Sequence, residues 1–365
     1  MDREALAGWL RLLLTPGVGN DTARRLLTAF GLPSGVWAQS PSAWQTVTNA
    51  RTARAMQSIP EALEPAVDRL MAWLDESPDH RVVTLADAHY PGALLNTADP
   101  PLMLYLHGQP EVLDHPRKLA IVGSRNPTPQ GETNARQFAR SLGEAGVCVV
   151  SGLALGVDGA AHAGALEGGG TTIAVVGTGL DTVYPRRHDA LANRIAERGL
   201  LISEYPLGTP PLAANFPQRN RIIAGLSQGT LVVEAAVRSG SLITARFAAE
   251  QGREVFAIPG SIHAPQSRGC HALIRQGAKL VESAQDILED LRIADPSGHR
   301  TEPDQAAEPV NDLLRAVGHD PVSFDALQAR TGLDTATLQA RLLELELEGE
   351  VGRMPGGLLQ RITQG

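Results

Sequence analysis

Lysine is almost absent from this chain. Of its 32 basic residues only Lys118 and Lys279 are lysines, and all the others are arginine. Neither lysine lies in a GxxxxGK[S/T] pattern, so the sequence excludes the phosphate loop of P-loop ATPases. Neither is a candidate for Schiff-base chemistry either.

Cysteine is scarce as well, and long hydrophobic runs are missing. Cys148 lies in an apolar segment and Cys270 in a glycine-rich loop, and the two form no CxxC motif and no disulfide framework. This indicates a reducing compartment and excludes metal sites built on cysteine. No apolar run approaches the roughly 20 residues that span a bilayer, and residues 1–4 are too acidic for a signal peptide. We expect a soluble, cytoplasmic protein without a bound metal.

Charge is distributed unevenly along the chain. The 365 residues are 43% hydrophobic and 20% charged, which is ordinary for a globular protein of two or three domains. The net charge of −8 divides into −5 for residues 1–114, +3 for residues 115–292 and −6 for residues 293–365. The middle segment is therefore the part expected to meet an anionic partner.

Residues 1–75 are predicted to form a helical domain, similar to SAM and helix-hairpin-helix modules. Leu6, Leu10 and Leu13 recur at helical spacing, and the turn at residues 16–19 (PGVG) resembles the hairpin of a helix-hairpin-helix. Glycines in such a hairpin expose N–H groups that can hold a DNA phosphate. The acidity of the segment favours a structural or protein-contact role instead.

Residues 76–292 are predicted to form an extended Rossmann-like domain. Short strands lead into an alternation of apolar strands and helices that is typical of a doubly wound, mainly parallel α/β sheet. The block at residues 216–227 (FPQRNRIIAGLS) lies between two apolar runs, so it is predicted to be a crossover helix with Pro217 in its first turn. Because open α/β sheets bind anions at such helix starts, we expect a phosphate chain there.

A linker and a small tail domain follow. Residues 293–309 are rich in proline, glycine and acidic residues, which predicts a linker. Residues 310–365 have the pattern of three helices and a hairpin, which is typical of a winged-helix domain. The third helix ends in the acidic run ELELEGE at residues 344–350, which would repel DNA. We favour a protein-contact or regulatory role for this domain over DNA readout.

Several strands of the central sheet end in loops of small residues. Glycine lets bare N–H groups approach a phosphate, and the carboxyl ends of parallel strands share one sheet edge. Residues 219–221 (RNR) fan through about 200° on a helix, so at least one arginine is expected to be structural, with Glu204 or Glu234 as partner. The segment 239–241 either caps the next helix with serine or meets a phosphate. The predicted phosphate contacts are Gly123, Ser124, Arg125, Ser151, Gly152, Arg186, Arg187, Arg219, Asn220, Arg221, Ser239, Gly240 and Ser241.

No catalytic residue is predicted. Asp158 and His162 stand four apart on a predicted helix, and the favoured interpretation is a histidine held by a helical carboxylate rather than an acid–base pair or half a metal site. Neither a GxSxG elbow nor a GxGxxG fingerprint is present. We expect a binding protein without a cofactor. Two alternatives remain, a Rossmann-type, phosphoribohydrolase-like enzyme that uses Asp158, Glu204 or Glu234, and a scaffold that acts through its acidic end domains.

The ordered motifs of the middle segment resemble the DNA-processing protein A family (DprA, also called Smf). The resemblance covers about residues 91–289. It rests on residues 121–125 (IVGSR), 151–158 (SGLALGVD) with 161–162 (AH), 177–181 (GTGLD) with 184–185 (YP), 203–206 (SEYP), 216–227, 239–245 (SGSLITA) and 255–260 (VFAIPG). The helical N-terminal region and the winged-helix tail are similar in architecture to accessory domains of some members.

This resemblance implies a single-stranded DNA-binding protein of natural transformation that protects incoming DNA and loads the RecA recombinase onto it. Base selectivity is expected to be slight, because phosphates carry no sequence. The resemblance places Gly123, Ser124 and Arg125 on DNA phosphate and Arg186 where the family usually has a lysine. His188 replaces the asparagine expected two residues further on. Members are generally dimers, so we expect a homodimer, with single-stranded DNA-binding protein as a further candidate partner.

The resemblance also places a dimer segment at residues 269–274 (GCHALI), although an ordinary amphipathic helix fits the same letters. The predicted dimer residues are Cys270, His271, Leu273 and Ile274. The aromatic candidates for base stacking near the sheet edge are Tyr184, Tyr205 and Phe216.

Overall fold

A computed structural model of the 365-residue chain describes residues 2–293, 312–318, 321–354 and 357–362. Apart from residue 293, the predicted linker at 293–309 lies outside the described residues. The chain folds into two compact units. Unit 1 consists of residues 1–116 and 172–226, and unit 2 of residues 117–171 and 227–365.

The helices and strands follow the predicted alternation. The helices are α1 (Arg3–Leu14), α2 (Asn20–Phe30), α3 (Pro33–Trp37), α4 (Pro41–Gln45), α5 (Ala50–Ala55), α6 (Leu63–Glu76), α7 (Gly92–Leu95), α8 (Pro129–Glu144), α9 (Val157–Glu167), α10 (Asp189–Arg198), α11 (Asn215–Leu226), α12 (Ser241–Glu250), α13 (Arg268–Arg275), α14 (Ala284–Asp290), α15 (Asp312–Val317), α16 (Phe324–Thr331) and α17 (Thr335–Leu347). The strands are β1 (His80–Thr84), β2 (Met103–Gly108), β3 (Lys118–Val122), β4 (Cys148–Ser151), β5 (Thr172–Val175), β6 (Leu200–Ser203), β7 (Gly229–Val232), β8 (Glu254–Ala257), β9 (Lys279–Leu280), β10 (Val351–Arg353) and β11 (Leu359–Arg361). Short 3₁₀ helices lie at Pro110–Asp114, Arg186–His188 and Pro265–Ser267.

Nine strands form one sheet in the order β1-β2-β6-β5-β4-β3-β7-β8-β9. The pairs β3–β4, β3–β7, β5–β6, β7–β8 and β8–β9 are parallel, whereas β2 runs antiparallel to β1 and β6. The strand order reverses at β3, since β4 lies on one side of it and β7 on the other. The predicted doubly wound, mainly parallel α/β fold is confirmed. Ligands of such sheets bind at the carboxyl ends of the strands beside this reversal.

The N-terminal helices of unit 1 form because caps and apolar spacing agree. Asp2 accepts a hydrogen bond from the N–H of Ala5 at 2.8 Å at the start of α1, whose buried face includes Leu12 rather than the predicted Leu13. The predicted helical region is confirmed. A Cβ on Gly17, which has a φ of +84°, would lie 2.8 Å from the hydroxyl of a threonine on α5. The hairpin glycine therefore packs against protein.

The core of unit 2 lies on the two faces of its strands. Every residue of β3 and β7 is buried, as expected for strands covered by helices on both sides. Phe138 and Leu142 of α8 and Val157 of α9 join Phe256 of β8 in one apolar cluster. Within the described part of the chain, no helix combines the length and apolar character needed to cross a membrane.

The tail has the predicted winged-helix pattern of three helices and a hairpin. Ser323 accepts a hydrogen bond from the N–H of Ala326 at 3.2 Å, which confirms the predicted start of α16. Helices α15, α16 and α17 share a leucine-rich core with the hairpin of β10 and β11. A Cβ on Gly352 would lie 2.7 Å from Pro129, so within unit 2 the hairpin packs against the start of α8.

Candidate nucleic-acid interface

The turn after β3 holds three predicted contacts, Gly123, Ser124 and Arg125. Gly123 has no room for a side chain, because a Cβ there would lie 2.7 Å from a methyl carbon of Val157. Ser124 Oγ accepts a hydrogen bond from the N–H of Asn126 at 3.1 Å, and its carbonyl accepts one from the N–H of Val157 at 3.1 Å. These bonds fix the backbone on both sides of the exposed Arg125. The turn therefore presents an arginine to solvent from a rigid base.

The loop after β4 satisfies its polar groups internally. Ser151 is fully buried, and its hydroxyl donates to the carbonyl of Ile121 at 2.6 Å. The N–H groups of Gly152 and Ala154 donate to Asp158 Oδ2 at 3.2 Å and 3.3 Å. A carboxylate of the protein thus meets the N–H group of Gly152, a residue that sequence analysis assigned to a ligand anion. The geometry gives Ser151 and Gly152 a structural role, and their contact with a phosphate stays a prediction.

The two loops are packed backbone to backbone at Gly156. Its φ is +78°, and a Cβ there would lie 2.5 Å from the carbonyl oxygen of Ser124. One turn into α9, His162 is fully buried, and Asp158 is only 7% exposed. Neither side chain is placed as a solvent-facing acid–base pair. Among the described residues, no group of three or more His, Cys, Asp or Glu side chains is arranged to hold a metal ion.

The start of α8 is held by Glu234, which follows β7. The Glu234 carboxylate accepts hydrogen bonds from the N–H of Thr128 at 2.9 Å and from its hydroxyl at 2.5 Å. The Thr128 hydroxyl in turn caps the helix by accepting from the N–H of Gly131 at 3.0 Å. Burial raises the pKa of Glu234, and the two bonds from Thr128 oppose that shift. This carboxylate is therefore a structural group of the loop.

The segment before α12 lies partly at the surface. Helix α12 begins at Ser241 with Gly240 as its N-cap, so a glycine and not the predicted serine occupies the cap position. Ser239 Oγ lies 2.7 Å from Ser241 Oγ, and it also accepts a hydrogen bond at 3.3 Å from the N–H of Ser241, the first residue of the helix. Gly240 is exposed and Ser241 is buried. Contact of this segment with a phosphate stays a prediction.

In unit 1 the exposed predicted cations are Arg186 and Arg187. Both lie on the short 3₁₀ helix before α10. Tyr184 beside them is 45% exposed, and its ring centroid lies 5.6 Å from that of the partly buried Phe216. The hydroxyl of Tyr205 donates to a backbone carbonyl at 3.1 Å. Of the three aromatic candidates, Tyr184 is therefore the most accessible to a base.

Helix α11, the arginine-rich block, is largely interior. Arg219 is 4% exposed and donates to the carbonyl of Val175 in β5. Arg221 forms an ion pair with Glu204, and its Nε lies 3.4 Å from Asp99 Oδ2. The expectation that an arginine pairs with Glu204 is confirmed, and Arg219 is structural as well. The predicted role of this helix as the main phosphate site has no support in this geometry, because its cations already serve protein acceptors.

The four predicted dimer residues all lie on α13. Cys270 is fully buried, its Sγ lies 3.6 Å from a carbonyl oxygen of β7, and burial raises its pKa to about 12. His271 Nε2 lies 2.9 Å from the carbonyl oxygen of Gly260. Leu273 and Ile274 are partly exposed. The dimer segment stays a prediction, and within it Cys270 is an interior residue of its own protomer.

Sequence reasoning missed Asp99, which joins the N-terminal helices of unit 1 to α11. Its carboxylate accepts hydrogen bonds from Asn20 Nδ2 at 3.2 Å and Arg24 Nη1 at 2.8 Å, and it also meets Arg221. No motif in the sequence marks this residue, because its partners are scattered along the chain. The side chains that follow the predicted glycine hairpin are thereby tied to protein, which favours the structural role of that hairpin.

Comparison with known proteins agrees with this architecture. A family model described as DNA recombination-mediator protein A matches residues 81–292, and a model for the DprA winged helix domain matches residues 297–357. Protein Smf of Escherichia coli (strain K12) is 43% identical over 361 residues, which cover 96% of this chain and 95% of that protein. DNA processing protein DprA of Streptococcus pneumoniae is 49% identical over 208 residues, or 57% of this chain and 73% of that protein.

Two solved structures are similar to this chain. The X-ray structure of DNA processing protein A from Streptococcus pneumoniae has a TM-score of 0.69 at 36% identity and covers 80% of this chain and 98% of its own. A structure of DNA processing protein A from Helicobacter pylori, described by its single-stranded DNA binding mode, has a TM-score of 0.53 at 34% identity and covers 58% of this chain and 96% of its own. The resemblance seen in the motifs is confirmed, and the chain belongs to the DNA recombination-mediator protein A (DprA/Smf) family.

Proposed function

We propose that this protein binds single-stranded DNA through backbone phosphates, with little sequence preference, and protects it during natural transformation. The observation that carries the proposal is the turn after β3, where an exposed Arg125 stands on a backbone fixed by Gly123 and Ser124. Arginine donates to phosphate through a planar fork of N–H groups. In unit 1, the exposed Arg186 and Arg187 stand beside the accessible ring of Tyr184, a combination of cation and stacking surface that suits an unpaired strand.

The relatives support this proposal. The Helicobacter pylori structure is described as binding single-stranded DNA, and its chain is 34% identical to this one. Relatives from Streptococcus pneumoniae and Bacillus subtilis are named DNA processing proteins. A shared fold is consistent with a shared ligand.

We propose further that the protein is not an enzyme. The carboxylates that a nucleotide hydrolase would use, Asp158, Glu204 and Glu234, are each engaged in holding the fold. Asp158 accepts loop N–H groups, Glu204 pairs with an arginine, and Glu234 holds the start of α8. A general acid or base needs an open position beside a substrate, and none of these three side chains offers one.

Equilibrium binding of labelled oligo(dT) and of its duplex, measured at several salt concentrations, tests the proposal. Full-length wild type is compared with Arg125→Ala, with Arg186→Ala/Arg187→Ala, and with Arg198→Ala as a control arginine that is exposed on α10. We expect strand-selective binding whose log–log salt slope falls by about 0.7 for each phosphate that a variant no longer neutralises. The control variant should keep the wild-type slope.

Binding that is weak, independent of salt and unchanged in both test variants would refute the proposal. Release of free base or ribose 5-phosphate from a mononucleotide, abolished in Glu234→Gln, would favour the phosphoribohydrolase-like alternative. Retention of protein partners after Arg125→Ala, together with no DNA binding in the wild type, would favour a scaffold.

RecA loading in the cytoplasm belongs to the same proposal. We expect the protein to shorten the lag of RecA filament formation on oligo(dT) coated with single-stranded DNA-binding protein, and Arg125→Ala to restore the lag. An unchanged lag with wild-type protein would contradict RecA loading while leaving DNA binding intact.

We propose that the functional form is a homodimer built around α13. A groove of about 570 Å³ lies between α12 and α13, lined in part by Leu242 and Leu273, and the 62% exposed Val237 stands at its wall. Ile274→Asp should shift the sedimentation coefficient toward the monomer and make the salt slope shallower. Ile59→Asp, at a 63% exposed isoleucine in unit 1, should do neither. Monomeric wild-type protein would refute the dimer.

A further inference from the structure

Helix α17 of the winged-helix domain is apolar on two opposite faces. One face is the expected one, since Leu338, Leu342 and Leu345 are buried in the core of the domain. An amphipathic surface helix normally carries polar residues on the side opposite its core. This helix departs from that pattern.

The opposite face carries a second apolar stripe. Each residue advances about 100° around a helix, which places Ala336, Ala340, Leu343 and Leu347 within about 60° of one another and opposite the buried leucines. Leu343 is 53% exposed and Leu347 is 81% exposed, and both alanines are exposed. No other large hydrophobic side chain in the described residues is as exposed as Leu347. Two leucines one helical turn apart form a pair that can pack against the apolar face of a partner helix.

Negative charge borders this stripe. Glu344 and Glu348 are exposed on one side of it, and Glu346, which pairs with Arg353 at 2.6 Å, lies toward the other side. Carboxylates in the last turn oppose the helix dipole, so these residues do not serve the stability of the isolated helix. They also repel a phosphate backbone, so DNA does not fit this face. The same carboxylates would attract a cationic partner.

The glutamates that border the stripe distinguish between its possible occupants. The chain's own segment at residues 294–311 is acidic and poor in large apolar residues, so it matches neither the stripe nor its border. A second copy of α17 would bring Glu344, Glu346 and Glu348 against a surface with a single exposed arginine, Arg341, so like charges would outnumber unlike ones. We propose that the exposed face of α17 docks a basic helical segment of another protein, whose leucine-type side chains pack on Leu343 and Leu347 while its lysines or arginines meet Glu344 and Glu348. This inference concerns a surface outside the proposed DNA site and does not depend on it.

The experiment uses the full-length chain and two labelled synthetic helices of about 18 residues, one of leucine and lysine and one of leucine and glutamate. Fluorescence anisotropy measures their affinity for wild type, Leu343→Ser/Leu347→Ser, Glu344→Gln/Glu348→Gln, and Leu32→Ser as a control at a 59% exposed leucine elsewhere. We expect the basic helix to bind wild type at least about tenfold more tightly than the acidic one. The affinity of the leucine variant should fall about tenfold or more, that of the glutamine variant several-fold, and that of the control not at all. Circular dichroism and oligo(dT) binding should be unchanged in all variants.

Equal affinity of the basic helix for wild type and the leucine variant would overturn the proposal, because attraction to the acidic chain would then be unspecific. A change in sedimentation of the leucine variant would make the face an interface between copies, and weaker duplex DNA binding would make it a DNA-reading face. Tighter peptide binding after deletion of residues 296–306 would identify the chain's own linker as occupant. Each of these results refutes the docking of a basic helix from another protein.

Discussion

The ion pair between Arg221 and Glu204 predicts a large stability defect in Arg221→Ala. The two side chains are only 13% and 12% exposed, and Arg221 also lies 3.4 Å from Asp99. Removing one partner of a buried pair leaves the other charge without compensation in a poorly solvated site. We expect the free energy of unfolding to fall by about 3–5 kcal/mol. Substituting both partners with methionine should be nearly neutral, because no buried charge remains.

The defect should depend on pH. Burial raises the pKa of Glu204 above its ordinary 4.5, and the Arg221 guanidinium counteracts this effect. In Arg221→Ala that counteraction is removed, so the folded-state pKa rises further. A carboxyl whose pKa is higher in the folded state contributes stability that is fully present below its unfolded-state pKa and is lost as the pH rises through the folded-state pKa. The difference between variant and wild type should therefore be smallest below about pH 4.5 and grow toward neutral pH.

Urea denaturation of the full chain, followed by circular dichroism between pH 4 and pH 8, measures both effects. Arg140→Ala is the matched control, because Arg140 is 60% exposed and its partner Glu144 is 52% exposed at 2.9 Å. Its removal should cost only about 0.3–0.5 kcal/mol at any of these pH values. Wild-type stability in Arg221→Ala, combined with weakened oligo(dT) binding, would show that Arg221 serves the ligand and would refute this reasoning.

Burial and backbone geometry lead to three further predictions. Gly156→Ala should destabilise the protein by about 2–4 kcal/mol and weaken oligo(dT) binding, because the added Cβ would lie only 2.5 Å from a neighbouring carbonyl oxygen. Gly146→Ala is the control: its φ of +72° is similar but the space around it is open, so it should cost only about 1 kcal/mol. Equal urea midpoints for the two variants would contradict this prediction. Burial raises the pKa of both Cys148 and Cys270 to about 12, so neither thiol should react with a disulfide reagent at pH 8 until the chain is unfolded, and a thiol titration of the native protein checks this. Phe256→Ala removes a fully buried ring from the core of unit 2 and should lower the free energy of unfolding by about 3–5 kcal/mol, which calorimetry measures. A loss below about 1 kcal/mol would show that neighbouring side chains fill the cavity left by the ring.

The fold was predictable because its signals are local. Apolar runs of about four or five residues separated by helical patterns define a parallel sheet, and β6 spans Leu200–Ser203 as predicted. Ser323 marked the start of α16 by its capping chemistry. The domain boundaries at residues 75, 292 and 309 stay predictions.

The candidate site was only partly predictable. The motifs and their positions relative to the predicted strands identified the turn at Gly123 to Arg125 and the pair Arg186 and Arg187, which the structure shows to be exposed. It did not show that the N–H group of Gly152 already has a carboxylate acceptor, because loop closure brings that acceptor from six residues away. Nor did it show that the serine before α12 leaves the cap to a glycine.

Sequence by itself determined the alternation of elements, the basic middle and acidic ends, and the motifs that mark the family, because each depends on residue order alone. Tertiary structure decided which arginines face solvent. Arg125 and Arg219 are the same residue type, yet Arg125 is exposed on a turn and Arg219 donates to a carbonyl of β5 in the interior. Burial depends on which chain segments pack together, and a charged side chain enclosed by the fold is held by protein acceptors and cannot reach an external phosphate.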